Sequence, residues 1–386
     1  MRVCMLAYTF YETDNRVMRY AETLVKRGDQ VDTISLRKKG QSLYNSTNGV
    51  NLYRIQKRSV NEKSKLAYLA KILLFWISSF LFVTIMHLKN PYDVIHVHSV
   101  PDFEVFAALI PKILGAKVIL DIHDIVPEFY ASKFSTSDKS FLFRGLLAVE
   151  RLSIAFANHV IISNHIWEKK LTARSVSPKK CTTIINYPDT SIFHRRKRNQ
   201  TENGNILIYP GTLNWHQGLD VAINAFALIE KRIPNWQFHI YGAGPYKEAL
   251  KHIVNGHKLE IRVFLKEFLP IRQIANVMAN SHLGIIPKRN DPFGGEAFST
   301  KTLEFMSLGI PILLSRTKID QYYFTDNLVI FFDPGSVEDL AKAMLSAMRD
   351  EGLRNRLAKN ALEFVQHHTW DTKKHIYLNI IDALLK

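Results

Sequence analysis

The chain is poor in cysteine. Its 386 residues contain two, Cys4 and Cys181, far apart and with no C-x-x-C pair. A disulfide framework or a structural zinc knuckle is therefore excluded, and the thiols read as buried in a reducing compartment. No His/Glu cluster has zinc-motif spacing, and neither G-x-x-x-x-G-K-[ST] nor G-x-S-x-G occurs. Met1–Ala7 reads as a strand, and no secretory leader is visible. Acidic residues are also few: 35 Asp+Glu stand against 51 Lys+Arg, a net charge of +16. Such a balance calls for an anionic partner: nucleic acid, a membrane surface or phosphorylated small molecules. With 47% apolar and 22% charged residues, disorder and fibrous repeats are excluded.

The charge is uneven. Residues 1–200 carry 30 Lys/Arg against 16 Asp/Glu, a surplus of +14, and residues 201–386 carry 21 against 19, a surplus of +2. Two halves with different electrostatics suggest two domains with different partners. Leu66–Met86 is a 21-residue apolar run with one charge, Lys71. Roughly 20 apolar residues can span a bilayer. The next segment, Tyr92–His98, reads as a buried strand, and strands on either side of a true span could not share a sheet. The run is therefore expected to be a helix on the sheet that dips into the membrane interface, over a plain core helix or a span.

Strand-like and helix-like segments alternate along both halves. In the first, strands are expected at 2–7, 31–36, 50–56, 94–98, 117–121, 159–163 and 182–185. Helices are expected at 14–27, with Asp14 as N-cap and Gly28 beyond its end, near 102–114 and near 141–157. Apolar strands of this kind belong to a parallel sheet covered on both faces. His194–Gly204 has no apolar periodicity and reads as a linker. The alternation then restarts, with strands at 206–209, 237–241, 261–264, 283–286, 310–314 and 329–332. Helices are expected at 219–231, 245–254, 301–308, 337–349, 353–367 and 370–385. The expected domains are 1–194, a linker at 195–204, 205–369, and a terminal helix 370–386 returning to the first domain. The fold class is α/β, with two doubly wound Rossmann-like domains facing a central cleft.

The most informative stretch is Lys288–Ser315. Glu296 and Glu304 lie eight residues apart; on one helix they would sit about 80° apart. Glu296 is expected in a loop and Glu304 inside the helix that follows. The helix start at Ser299, Thr300 and Lys301 offers free N–H groups and a positive dipole end to a phosphate. Lys301 adds a full charge, and Lys288 and Arg289 lie just upstream. Carboxylates suit sugar or ribose hydroxyls, and amides with lysine suit a diphosphate. Together they describe a nucleotide-sugar site, set against a plain loop and helix with solvated charges.

Here the sequence resembles a family. Glu296-x7-Glu304 followed by Gly309-Ile-Pro311 is similar to the signature of family 4 retaining glycosyltransferases, whose fold is GT-B. Tyr209-Pro-Gly211-Thr-Leu213 with Gln217-Gly218-Leu219, Ile240-Tyr-Gly242-Ala-Gly244-Pro245, Ile184-Ile-Asn186-Tyr-Pro-Asp189 and Asp14-Asn-Arg16-Val17 resemble further family segments in the family's order, so the likeness covers nearly the whole chain. The resemblance implies that Glu304 holds the ribose hydroxyls and that Glu296 contacts the donor sugar above Phe298 and Ser299. It further implies a donor cradle including Gly211, Thr212, Gln217 and Gly242, with Asp14, Arg16 and Asp124 on the acceptor side. His123 would reach the sugar from the first domain as that domain closes on the second, with Asp121 and Asp124 orienting its ring; without the family, a satisfied core histidine is the reading.

Two departures stand out. Relatives commonly carry Arg and Lys where this chain has Thr212 and Gln217. The first strand-end loop, Tyr8–Thr13, lacks paired glycines. The diphosphate charge then falls to Lys301, Lys288 or Arg289. No D-x-D pair occurs, so no metal is expected and no cofactor beyond the nucleotide-sugar substrate. The expected enzyme is a metal-independent retaining hexosyl- or N-acetylhexosaminyl-transferase that uses a UDP- or GDP-sugar. Its acceptor is expected to be a lipid-linked or surface-polysaccharide precursor at an anionic inner membrane face. Two alternatives remain: a sugar-nucleotide 2-epimerase, and a basic nucleic-acid-binding protein, for which no recognised module or stacking platform is seen.

Overall fold

The computed structural model describes residues 1–58, 65–134, 140–197 and 204–386. The chain forms two compact units, Met1–Asn186 with Lys374–Lys386, and Tyr187–Lys373. Most of the expected linker, residues 198–203, lies outside the described residues.

The first unit is an eight-stranded sheet. Its strands are β1 (Arg2–Ala7), β2 (Gln30–Arg37), β3 (Tyr44–Thr47), β4 (Val50–Lys57), β5 (Val94–Ser99), β6 (Lys117–Ile122), β7 (His159–Ile162) and β8 (Cys181–Thr183). The order is β3-β4-β2-β1-β5-β6-β7-β8, and every pair but β3·β4 is parallel. Helices α1 (Asn15–Arg27), α2 (Lys65–Lys89), α3 (Leu109–Ile113), α4 (Val126–Phe134), α5 (Phe141–Phe156) and α6 (His165–Arg174) connect the strands. β1 is an uninterrupted apolar run because both its faces are covered: Val3, Cys4, Met5 and Leu6 are fully buried. Asp14 caps α1 by accepting the N–H groups of Arg16 and Val17, and Gly28 closes it at φ 98°.

Several elements depart from the sequence reading. The edge hairpin β3·β4 went unread, although its turn, Asn48-Gly49, has the positive φ angles that a two-residue hairpin requires. The helix expected near 102–114 is a 3-10 stretch, Asp102–Ala108, followed by the short α3. Pro111 lies in α3 and has no N–H, so a continuous α ladder cannot form there. Short helices α4 and α6 were also missed.

Helix α2 is the longest element, and Ala67–Lys89 is apolar and long enough to cross a membrane by composition alone. Its flanking strands β4 and β5 belong to one sheet, which rules out a transmembrane span. Ile72, Phe75, Ser79 and Val83 face inward, whereas Leu69, Leu73, Leu74, Ile77, Leu81, Ile85 and Leu88 are exposed.

The second unit has six parallel strands: β9 (Asn205–Pro210), β10 (Trp236–Tyr241), β11 (Val263–Lys266), β12 (Leu283–Ile286), β13 (Ile312–Ser315) and β14 (Ile330–Phe332), in the order β11-β10-β9-β12-β13-β14. Its helices are α7 (Leu219–Ile229), α8 (Lys247–Gly256), α9 (Ile271–Ala279), α10 (Thr300–Leu308), α11 (Lys318–Tyr323), α12 (Val337–Arg349), α13 (Glu351–Gln366) and α14 (Trp370–Leu385). Of these, α9 and α11 were not read from sequence. The core packs Leu207, Phe226, Phe238, Ile240, Leu283, Leu313 and Met344. This unit begins at Tyr187, earlier than the expected residue 205. The Trp370 N–H donates to Pro188 O (3.0 Å) and Thr190 Oγ1 to Asp371 Oδ2 (2.6 Å), tying that segment to the start of α14. The rest of α14 belongs to the first unit, where Tyr377 is buried and Arg27 pairs with Asp382 at 2.8 Å.

Candidate functional site

In the second unit the loops at the strand ends are drawn together by glycines. A Cβ on Gly242 would lie 1.8 Å from Gly211 O, and one on Gly244 2.3 Å from Leu213 O. Gly218, at φ 64°, has no room for a side chain, since a Cβ there would lie 2.0 Å from Pro287 O. The loops after β9, β10 and β12 therefore meet backbone to backbone.

Lys301, in the first turn of α10, lies against these loops. Its Cε would be 2.4 Å from a Gly211 Cβ, and its Nζ stands 5.5 Å from the Tyr209 ring centroid. Burial pushes the Lys301 ammonium below its ordinary range, and Glu304 pulls it back. Lys301 makes no hydrogen bond or ion pair among the described residues. Thr300 begins α10, and its N-cap, Ser299, makes no side-chain cap bond. Glu304 sits one turn into the helix, half-buried, and Phe298 packs edge-on against Tyr323 at 4.9 Å.

The other expected contacts are committed elsewhere. Lys288 is buried and pairs with Asp320 Oδ2 at 2.9 Å while donating to Ala297 O at 2.7 Å. Arg289 pairs with Asp220 at 2.5 Å and stacks on Trp215 at 4.2 Å. Both cations were expected to serve the diphosphate, yet each already has a carboxylate. Gln217 Oε1 lies 2.9 Å from the Tyr209 hydroxyl, which is also 3.0 Å from Thr212 O. Glu296 lies in the loop before α10 and accepts from Lys318 Nζ at 2.9 Å.

In the first unit a pocket of about 220 Å³ is lined by Tyr8, Asp14, His98, Ser99, His123 and Asp124, among others. Strand periodicity builds its floor. His96 and His98 alternate onto one face of β5, and register places His98 beside Asp121 of β6. Asp121 Oδ2 lies 3.2 Å from His98 Nδ1 and 3.3 Å from His123 Nε2, and those two nitrogens are 3.3 Å apart. The Arg16 guanidinium grips Asp121 with two bonds of 2.7 Å and donates to Ile184 O and Asn186 Oδ1. Burial alone would raise the Asp121 carboxyl, but Arg16 and His123 hold it well below the usual carboxylate range. Burial holds His96 well below and His98 below the usual histidine range and pushes Asp124 upward.

Arg16 is thus a buried support of Asp121, and Asp14 uses one carboxylate oxygen, Oδ1, for the α1 cap. His123 stays accessible, with 23% of its side chain exposed. The ligand atoms of His96, His98 and Asp121 lie within 4.8 Å of one another, close enough for a cation. Both Asp121 oxygens already serve Arg16, however, and the two imidazoles stack at 4.1 Å, so their lone pairs do not converge. His96 and His98 escaped the sequence reading, although H-x-H on one strand beside D-x-H on the next was a usable signal.

Comparison with known proteins follows the same division. Residues 13–186 match the family model described as "Glycosyl transferase 4-like domain" and residues 191–364 the one described as "Glycosyl transferases group 1". The chain is 24% identical over 296 residues to "Sulfoquinovosyl transferase SQD2" of Arabidopsis thaliana, covering 72% of this chain and 54% of that protein. It is 23% identical over 218 residues to a phosphatidylinositol N-acetylglucosaminyltransferase chain of the same plant, covering 55% and 47%. The chain thus spans about half the length of these curated relatives. Among solved structures it is similar to Anabaena Alr3699/HepE in complex with UDP and glucose, with a TM-score of 0.74, 14% identity and coverage of 99% and 100%.

Proposed function

Because this chain belongs to the group 1 glycosyl transferases and has the GT-B fold, we propose that it transfers a hexosyl or N-acetylhexosaminyl group from a UDP- or GDP-sugar. The acceptor is a lipid-linked or surface-polysaccharide precursor, and transfer retains the anomeric configuration. The carrying observation is Lys301: a half-buried cation with no ion-pair partner among the described residues, in the first turn of α10 beside Glu304. An ammonium at a helix start whose N-cap serine does not cap it is suited to a diphosphate, and Glu304 to ribose hydroxyls. Lys301 then supplies the charge that Thr212 and Gln217 do not.

The bond from the anomeric carbon to the diphosphate breaks, and a bond to the acceptor oxygen forms on the same face. The acceptor proton passes to the leaving diphosphate, whose charge Lys301 and the α10 amides offset without a metal. The pocket of His123, Asp124 and Asp14 in the first unit receives the acceptor. Support for a lipid-linked acceptor comes from the basic surplus of residues 1–200, the exposed leucine face of α2, and the relative named for phosphatidylinositol. These features suit a peripheral protein on the cytoplasmic face of an anionic membrane.

A thermal-shift panel of UDP- and GDP-sugars tests the donor reading. At least one nucleotide sugar should stabilise the chain, and Lys301→Met should weaken that response by about tenfold, the scale of one charge-assisted contact. A panel without response, together with salt-sensitive binding of DNA or RNA, would favour the nucleic-acid alternative. Interconversion of donor sugars with no acceptor present would favour the epimerase.

A further inference from the structure

The segment Thr317–Phe324 has no part in the reading above, yet it holds the Glu296 loop from beneath. Asp320 is fully buried and Lys288 nearly so, and the two meet at 2.9 Å. Thr317 Oγ1 donates to the same Asp320 oxygen at 2.5 Å. From this anchor the contacts run residue by residue along the loop. The Ile319 N–H donates to Gly295 O (3.1 Å), Lys318 Nζ to Glu296 Oε1 (2.9 Å) and Lys288 Nζ to Ala297 O (2.7 Å), while Phe298 packs on Tyr323. Four consecutive loop residues are thereby attached to α11 or to its ion-pair partner.

We propose that the buried Lys288–Asp320 pair is a brace that positions Glu296, and that Lys288 is not a ligand of the donor diphosphate. The proposal rests on reading the second unit as the donor site. Its physical basis is that a buried ion pair adds little net stability, whereas removing one partner strands the other's charge out of water. A brace and a ligand therefore respond oppositely to removal of both charges. Neutralising the pair relieves the stranded charge in a brace, but cannot restore a lost contact to a diphosphate.

The test uses the full chain carrying Lys288→Met, Asp320→Asn, or both. Thermal midpoint and hydrogen exchange over residues 289–299 are measured without substrate, so they remain informative even if no transfer activity is found. Each single variant should lower the midpoint and raise exchange in that loop by roughly tenfold, and the double variant should recover most of both, which is the coupling expected of residues in direct contact. With an active donor, Lys288→Met should lower kcat by about tenfold or more while KM and the calorimetric Kd for UDP or GDP change by less than about threefold. A double variant no better than Lys288→Met would overturn the brace. So would a tenfold loss of UDP or GDP affinity in Lys288→Met with midpoint and loop exchange unchanged.

Discussion

Asp121 shows how one residue can organise a site without facing a ligand. Its carboxylate is fully buried and takes both arms of Arg16, along with the nearest nitrogens of His98 and His123. Asp121→Asn keeps the shape but takes the paired carboxylate from the enclosed Arg16 guanidinium. The expected loss is about 3–5 kcal/mol, the range found when one member of a buried pair is removed. Urea denaturation followed on the first unit would measure it. Activity should fall further than stability explains, because His123 loses the carboxylate beside its ring. Unchanged stability would show that Arg16 finds equivalent partners at Ile184 and Asn186. The sequence pointed to His123, Asp14 and Arg16 and gave Asp14 its place as the α1 cap, whereas the buried pairing of Arg16 with Asp121 was not read. Arg16 is two positions from the pocket-lining Asp14, and only its hydrogen bonds reveal that it is already used.

At the scale of an element, the 3-10 stretch Asp102–Ala108 brings two acids into the core. Glu104 is buried with neither carboxyl oxygen hydrogen-bonded among the described residues, and burial pushes its pKa to about 8. Burial likewise raises Asp102 to about 7, with the Ser99 hydroxyl opposing. For both, the folded state keeps a proton that the unfolded chain gives up at lower pH, so stability falls as pH rises from about 4.5 to 8. Buried His96 and His98 act in the other direction. The folded unit resists protons that the unfolded chain accepts near 6.5, so stability falls as pH drops below that value. Below about pH 6.5 the two contributions oppose each other, and above it the acids act alone, so the first unit should lose stability from about pH 6.5 to 8. Thermal midpoints measured from pH 5 to 8.5 should trace this alkaline decline, and Glu104→Gln should flatten it. An equal alkaline decline in that variant would remove Glu104 as its cause. The long regular elements of this unit were legible from apolar periodicity, whereas this one was not. It has Pro101 as its N-cap and Pro111 shortly beyond its end, and it carries no periodic signal.

For the whole molecule, the net charge of +16 resolves into a basic first half and a nearly neutral second. The basic half also carries α2, with an exposed row at Leu69, Leu73, Ile77, Leu81 and Ile85. At the membrane interface proposed for α2, electrostatic attraction would add to apolar burial. The chain is expected to co-sediment with vesicles containing phosphatidylglycerol and far less with neutral ones. Leu73→Glu with Ile77→Glu should reduce that binding by about tenfold or more, since a charge replaces apolar burial at two positions. Equal binding to both vesicle types would remove the anionic surface from the proposal and leave sugar transfer standing.

What the amino-acid sequence determined by itself was the class of fold and the order of its parts. Continuous apolar strands such as Arg2–Ala7 and Leu283–Ile286, separated by amphipathic helices and glycine turns, leave few alternatives to two doubly wound sheets. Spacing also placed Glu296 in a loop, Lys301 at a helix start and Glu304 in the helix interior, because these follow one another locally. Tertiary structure decided which charges remain available. Lys288, Arg289 and Arg16 meet Asp320, Asp220 and Asp121 across gaps of 32, 69 and 105 positions. Such pairings depend on strand order and loop closure, and no local pattern encodes them. Lys301 is distinguished from its neighbouring cations by the lack of any such partner among the described residues.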